Sequence, residues 1–235
     1  MLQTSGYQIL EKIYDGRRHS IYKYLANGKP VIIKTTQFPS TTTAESNQLH
    51  YEYEILKFFN HPNIIKPINI ETYKNKVFLV LEDINAISLD KISEKGNLSI
   101  SVFLDIALKI LFGLSEIHSQ NLIHHDIKPS NIICNLETGE LRIIDFGSSS
   151  KIKKQEIVST KNVDFTNIPY LSPEKTGRMN RSVDYRSDLY SLGITLYQVL
   201  TSRLPFLNES PIEIVHSHLA KIPIPPSFVS NTPKI

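Results

Sequence analysis

The run His124-His125-Asp126-Ile127-Lys128-Pro129-Ser130-Asn131 is followed, fourteen positions after Asn131, by Asp145-Phe146-Gly147. Together these residues offer what phosphoryl transfer from ATP requires. Asp126 would take the proton of an attacking hydroxyl, Lys128 would neutralise charge on the moving phosphoryl group, and Asn131 and Asp145 would hold magnesium. The reaction asks little covalent chemistry of the protein, so such residues act mainly by positioning and electrostatic stabilisation. The competing reading, a polar turn beside a buried hairpin with His124 as a core histidine, leaves this many identities at fixed spacing unexplained.

These groups need elements to hold them. Up to residue 82 the chain reads as short strands around one helix. Strands are expected at Tyr7–Ile13, Ser20–Leu25 and Pro30–Thr35, with Asn27-Gly28 turning the chain between the last two. Residues 44–59 carry Leu49, Tyr53, Leu56 and Phe59 at three- and four-residue spacing, which predicts a helix with one buried face. His61-Pro62-Asn63 should end it, because a residue before proline is pushed away from helical geometry. Two more strands follow, near Ile68–Tyr73 and Val77–Glu82.

Beyond residue 88 the pattern turns mostly helical. Val102, Phe103, Ile106, Ile110, Leu114 and Ile117 form one stripe, with Ser99 or Ser101 as the cap. Ile132–Cys134 and Leu141–Ile144 read as short strands joined by a turn at Glu137-Thr138-Gly139-Glu140. Leu189, Leu192, Leu196, Tyr197 and Leu200 predict a central helix, apolar on several sides. Ser210-Pro211 opens a shorter one ending near Leu219.

The motifs at 124–131 and 145–147 resemble those of the eukaryotic-type protein kinases, with Lys128 matching the serine/threonine pattern. The resemblance runs from about Gly6 to Pro226. It implies an α+β, two-lobed fold with ATP between the lobes: residues 1–82 as the strand-rich lobe, 83–88 as connector and 89–235 as an incomplete helical lobe. By the same resemblance Lys34 contacts the α and β phosphates, and Glu52, ahead of Ile55-Leu56, is its partner, with Glu54 as the competing choice. Leu81 borders the adenine pocket, and the backbone of Glu82 and Ile84 meets the adenine edge.

The phosphate-covering loop departs from the family pattern. Of three glycines only Gly16 is kept, with Tyr14 and His19 at the other places and Ile13 and Ile21 flanking the loop. This predicts a stiffer ATP lid, to which Arg17 or Arg18 would add phosphate contacts. His125 stands where many members have an arginine that engages a phosphorylated loop, so dependence on such phosphorylation is not expected. The expected activation segment, Ser148 to Leu171, contains Ser148, Ser149, Ser150, Ser159, Thr160 and Thr166, and Asn167 replaces a threonine that bonds the catalytic aspartate and lysine. Ser172-Pro173-Glu174 resembles the closing triplet, and Asp188 would anchor the catalytic loop backbone.

The stretch Thr176 to Gly193 resembles kinase domains at the N-termini of very large bacterial signalling proteins that also carry an ATPase module, a sensor domain and often a histidine kinase. Family members continue beyond the position of Ile235 and supply an arginine to the glutamate at Glu174, so that carboxylate is expected to lack its partner, at a cost of about 3–5 kcal/mol. Apolar surface on the helical lobe should be exposed for the same reason.

Composition sets the outer bounds. With 40% hydrophobic and 21% charged residues the 235-residue chain is ordinary for a globular protein. A net charge of +3 is too small to argue for nucleic acid, and Lys151, Lys153 and Lys154 read as a solvated loop. Cys134, a lone cysteine among apolar residues, fits a core position in a reducing compartment. No signal peptide or membrane-length apolar run is seen, so a cytoplasmic location is expected. The expected activity is therefore magnesium-ATP-dependent transfer to serine or threonine hydroxyls of a protein. The rival is a non-catalytic, kinase-like interaction module, favoured by the altered lid, His125 and Asn167. A small-molecule phosphotransferase is disfavoured by Lys128 and by the Ser172-Pro173-Glu174 segment.

Overall fold

The computed structural model describes residues 7–16, 19–37, 43–96, 98–152, 165–179 and 181–229. Arg17, Arg18, Lys153, Lys154, Ser159 and Thr160, singled out above, lie outside these residues, as does the side chain of Thr166.

A five-stranded antiparallel sheet, in the order β1-β2-β3-β5-β4, is built from β1 (Tyr7–Asp15), β2 (His19–Ala26), β3 (Lys29–Thr36), β4 (Pro67–Tyr73) and β5 (Lys76–Glu82). Asn27 and Gly28 both take positive φ, 49° and 78°, between the paired residues Ala26 and Lys29. That is the backbone a two-residue hairpin demands and the reason an Asn-Gly pair serves there. β3 and β5 form the buried centre of the sheet, whereas β1 is exposed along almost its whole length.

The helix α1 (Thr43–Leu56) packs against β5 with Leu49, Ile55 and Leu56 buried. It stops at Leu56, three residues short of the expected end. Lys57 to Phe59 continue as a tight turn, in which the Phe58 and Phe59 N–H groups donate to the carbonyls of Ile55 and Leu56. Phe59 still reaches the core because such a turn keeps it on the helix's inner side.

The helical part begins with β6 (Ile87–Ser88), α2 (Leu89–Lys95) and α3 (Ile100–Ser119). Ser99 is the cap of α3: its hydroxyl accepts from the Val102 N–H at 3.3 Å. Ile106, Ile110, Leu114 and Ile117 are buried as the stripe requires, but Val102 is 39% exposed. Its place in the first turn projects beyond the core. Leu104, Leu108, Leu111 and Phe112 form an exposed apolar stripe along the same helix. Gly113 lets α3 approach closely, since a side chain there would meet Ile143 and the Asn63 backbone.

After β7 (Leu122–Ile123) come β8 (Ile132–Cys134) and β9 (Leu141–Ile143), a hairpin completed by β6, and β10 (Ser150–Lys151), which pairs with β7. The helices α4 (Arg186–Thr201) and α5 (Pro211–Ala220) close the described fold. In α4, Leu192, Ile194 and Val199 face the core, while Leu189 is 42% exposed and so not among its buried residues. One apolar core runs from α1 and β5 through α3, β8 and β9 to α4, and a smaller one lies around Tyr24, Ile33 and Phe78. The continuous core joins both parts of the molecule directly beneath the residues with chemistry.

Candidate active site

A cavity of about 530 Å³ opens between the sheet and the helical part. Its walls include Ile13, Tyr14, Ile21, Leu81, Glu82 and Ile84 on one side and Lys128, Asn131, Ile144 and Asp145 on the other, with Lys34 and Glu52 also lining it. Residues more than a hundred positions apart therefore share one cleft.

Lys34, near the end of β3, is buried, and its ammonium is bound to the carboxylates of Glu52 at 2.7 Å and Asp145 at 2.8 Å. Glu54 is exposed and pairs only with Lys57, because two residues along a helix turn a side chain to a different face. Burial works against the Lys34 ammonium, but the Asp145 and Glu52 carboxylates outweigh it and raise its pKa. Burial likewise opposes the Asp145 carboxylate, and Lys34 more than compensates, holding it well below the usual carboxylate range. Glu52 also accepts from the Phe146 N–H at 3.2 Å, which ties α1 to the Asp145-Phe146-Gly147 turn. Phe146 is fully buried, with its ring against His124 and Phe59.

The loop from His124 to Asn131 is braced from beneath. Asp188, wholly buried in α4, accepts the backbone N–H groups of His124 at 2.8 Å and His125 at 2.9 Å, and lies 2.9 Å from His118 Nε2. Burial disfavours the Asp188 carboxylate, yet these bonds and the nearby Lys175 charge keep its pKa below the ordinary value. Burial pushes the His124 imidazole pKa down and thus favours its neutral form.

Asp126 is 9% exposed. Its Oδ2 atom receives Asn131 Nδ2 at 2.8 Å and lies 2.9 Å from Lys128 Nζ. Lys128 also donates to Asn167 Oδ1 at 2.7 Å, so asparagine at that position does engage the loop lysine. Asn131 turns its Nδ2 toward Asp126, which leaves its amide oxygen for a cation. Two oxygen ligands, Asn131 Oδ1 and an Asp145 carboxylate, beside a phosphate-sized space fit magnesium, which takes one or two protein ligands and completes its shell with phosphate and water. Among the described residues no group of three or more His, Cys, Asp or Glu side chains could hold a metal by itself.

Two strained residues flank this apparatus. His125 has φ 70° and Asp145 has φ 65°, the left-handed region that residues with a Cβ seldom enter. Histidine and aspartate are among the residues with a Cβ that enter this region more readily, and Asp188 holds the His125 backbone N–H there.

The lid behaves differently from the expectation at one position. Gly16 does not line the cavity; the Tyr14 ring packs over it, and any side chain at Gly16 would collide with that ring. The lid hairpin is pinned by Gln37, whose Nε2 donates to Asp15 Oδ1 at 2.6 Å and to the Gly16 carbonyl at 2.5 Å. Gln37 carries no motif and sequence reading passed over it. It also passed over Asp90, which lines the cavity and keeps a buried carboxylate oxygen with no hydrogen bond, and Lys23, paired with Asp83 at 2.8 Å beside the connector.

The Glu82 side chain points away from the cavity's chemistry, to Arg142 Nε at 2.9 Å and the Lys66 N–H at 3.0 Å. Glu174 was expected to be a largely buried charge without a partner. It is only half-buried, and its carboxylate accepts from the Ser187 hydroxyl of α4. Of the candidate activation-segment hydroxyls, Ser149 is buried and bonded to the Phe146 carbonyl at 2.6 Å, Ser150 lies 2.7 Å from His125 Nε2, and Ser148 is exposed.

Comparison with known proteins agrees with this geometry. The family model of the protein kinase domain matches residues 7–232. The chain belongs to the protein kinase family. It is 29% identical over 98% of its length to a probable serine/threonine-protein kinase of Clostridium perfringens, covering 32% of that protein. It is also 29% identical over 92% of its length to the serine/threonine-protein kinase PrkC of Bacillus subtilis, covering 33% of it. Against the serine/threonine-protein kinase PknB of Mycobacterium tuberculosis the figures are 33% identity over 72% of this chain and 27% of the relative. The chain thus spans about a third of the length of these relatives. No helix among the described residues is long and apolar enough to cross a membrane.

Proposed function

We propose that this chain is a serine/threonine protein kinase domain, transferring the γ-phosphoryl group of magnesium-ATP to a serine or threonine hydroxyl of a protein in a signalling pathway. The observation that carries this reading is Lys34 bound at once to Glu52 and Asp145 at the back of the cavity, with Lys128 and Asn131 on the adjoining wall and Asp126 bonded to both of these.

At the connector, the Glu82 N–H is taken by the Lys66 carbonyl, so Glu82 has its own carbonyl to offer an adenine. Ile84 is the converse: Asn135 Nδ2 occupies its carbonyl at 3.1 Å, which leaves it to act through its N–H. One acceptor and one donor complement an adenine edge. Ile13, Ile21 and Leu81 supply apolar walls for the base, and Tyr14 covers the phosphates. Lys34, oriented by Glu52, would bind the α and β phosphates. Magnesium held by Asn131 and Asp145 would neutralise phosphate charge.

The two oxygens of Asp126 are not equivalent. Oδ2 is engaged by Asn131 and Lys128, so Oδ1 is the atom to take the proton from the attacking hydroxyl. Lys128, held between Asp126 and Asn167, would stabilise charge on the transferring group. The segment from Thr176 to Gly193 supports placing the domain in a longer signalling protein with further modules, and the buried Cys134 suits a reducing, cytoplasmic setting.

Transfer of labelled phosphate from ATP to a generic protein substrate tests the reading, with Asp126→Asn and Lys34→Met as comparisons. Transfer that depends on both residues is the expected result. Magnesium-ATP binding with no Asp126-dependent transfer would replace it with the interaction-module reading, for which the Tyr14 ring over Gly16 is the favouring observation.

A further inference from the structure

His125 is held through both of its backbone groups, and its carbonyl belongs to the peptide that leads into Asp126. Asp188 takes the His125 N–H at 2.9 Å, and Lys175 Nζ donates to the His125 carbonyl at 3.0 Å. The two anchors come from different elements, Asp188 from α4 and Lys175 from the single 3-10 turn Pro173–Thr176 that ends the activation segment. Lys175 is not a solvated surface lysine. Its ammonium lies among Asp188, Asp126 and Glu174, with His125 as the neighbouring imidazole, and burial pushes its pKa down. Lys175 is half-buried, and an ammonium withdrawn from water is favoured where hydrogen bonds and opposite charge replace it. Its neighbour Glu174 turns instead to Ser187, so the two residues hold different elements.

The position gains meaning from His125. Burial, chiefly, and the Lys175 charge push the His125 pKa down to about 4, so near neutral pH the imidazole carries no charge. The cation that bonds this peptide is therefore supplied from the activation segment rather than from the catalytic loop itself.

We propose that Lys175 is a positioning residue for phosphoryl transfer: its ammonium, bonded to the His125 carbonyl, holds the left-handed peptide that carries Asp126 and couples the end of the activation segment to the catalytic base. This rests on the kinase reading above. Lys175 touches no reacting atom. Its effect belongs on the rate of the chemical step, because misplacing the base weakens the transition state more than it weakens nucleotide binding.

The test exploits a unique label. His125-Asp126 is the one His-Asp pair in the sequence, so 13C-carbonyl histidine with 15N-aspartate marks that single peptide. Its amide signal, and kcat and KM for ATP, are compared in the unaltered chain, Lys175→Met and Lys175→Arg. The expected outcome for Lys175→Met is a displaced signal and a roughly tenfold lower kcat with KM for ATP within about twofold, the size of one charge-assisted hydrogen bond. Lys175→Arg should restore most of the rate and the native signal.

An unmoved signal with unchanged kcat in Lys175→Met overturns the proposal. So does a lower melting temperature with an unmoved signal in the folded fraction, which would make the lysine merely structural. Should Lys175→Met fail to fold, Lys175→Gln takes its place: a displaced signal with a lower kcat is expected, and native values for both overturn the proposal. An arginine variant that folds, keeps the signal and loses the rate overturns it. If the unaltered chain transfers no phosphate, the kinase reading fails on its own, while the labelled peptide still reports whether Lys175 holds it.

Discussion

The loop 124–131, which lends Lys128 and Asn131 to the cleft, and the lid strands, which lend it Ile13, Tyr14 and Ile21, are held in place by different means. The first run is clamped by buried groups: Asp188 grips two backbone N–H groups, Phe146 packs on His124, and Asn131 bonds Asp126. The second belongs to a mostly exposed hairpin, fastened by Ser20 on Asp15 at 2.8 Å, by Gln37 on Asp15 and Gly16, and by an exposed ion pair between Lys12 and Asp15. Bonds made out of water are expensive to break, because a partner left behind is desolvated and unpaired. Exposed ones are replaced by water at little cost. On the kinase reading proposed above, the difference means that the geometry of transfer is built rigidly, whereas the grip on nucleotide is adjustable. Changes in the first region should fall on kcat and stability, and changes in the second on KM for ATP.

The sharpest way to break this division is Asp126→Asn. It should lower kcat by about 10²–10⁴-fold, the usual worth of a general base, with nucleotide affinity nearly unchanged. Labelled transfer and an ATP titration measure the two separately, and a parallel loss of binding would dissolve the distinction. Removing the clamp from below is next. Asp188→Ala should destabilise the fold by about 3 kcal/mol, since the loop's N–H groups and His118 lose a buried anion together; urea unfolding reads the change.

Acid should expose the same asymmetry without mutation. His125 in the folded chain titrates near 4 rather than at its ordinary 6.5, and His124 is shifted in the same direction, both by burial. As pH falls from about 6.5 toward 4, the unfolded chain binds protons that the folded chain refuses. Stability therefore drops over that window, by on the order of 3 kcal/mol, and the His125→Gln chain should show a shallower fall in thermal melts. The smallest effect belongs to the lid. Gln37→Ala should raise KM for ATP by roughly threefold and leave kcat alone, as expected for one or two half-exposed hydrogen bonds. A fall in kcat instead would place the lid among the rigid parts.

Much of this architecture was legible beforehand, and the exceptions have physical causes. The Asn27-Gly28 hairpin, the strands of the sheet and the stripe of α3 follow from local backbone preference and periodicity, and they appear close to where these place them. Errors fell at element ends, at Leu56 and Val102, where a tight turn or a first helical turn leaves the regular pattern. The bond Glu174 makes had no local signal: Ser187 lies thirteen residues on in α4, and serine carries no charge to mark it as a partner. Gln37, Lys175 and Arg142 escaped notice for the same reason. Each acts through a backbone carbonyl or a distant carboxylate, and no spacing rule ties a donor to an acceptor that far away in the chain.

By itself, then, the sequence determined the chemical inventory of the cleft. Asp126, Lys128 and Asn131 lie within one short loop, and Asp145 sits in a turn beside a hairpin, so their chemistry could be read from identity and local spacing. Tertiary structure decided which groups meet: Lys34 with both Glu52 and Asp145, the His125 backbone with Asp188 and Lys175, and the Tyr14 ring with Gly16. Local order limits conformation one residue at a time. Which groups are taken out of water together depends on how whole elements pack, and that packing strains His125 and Asp145, pairs the buried charges and shifts their protonation.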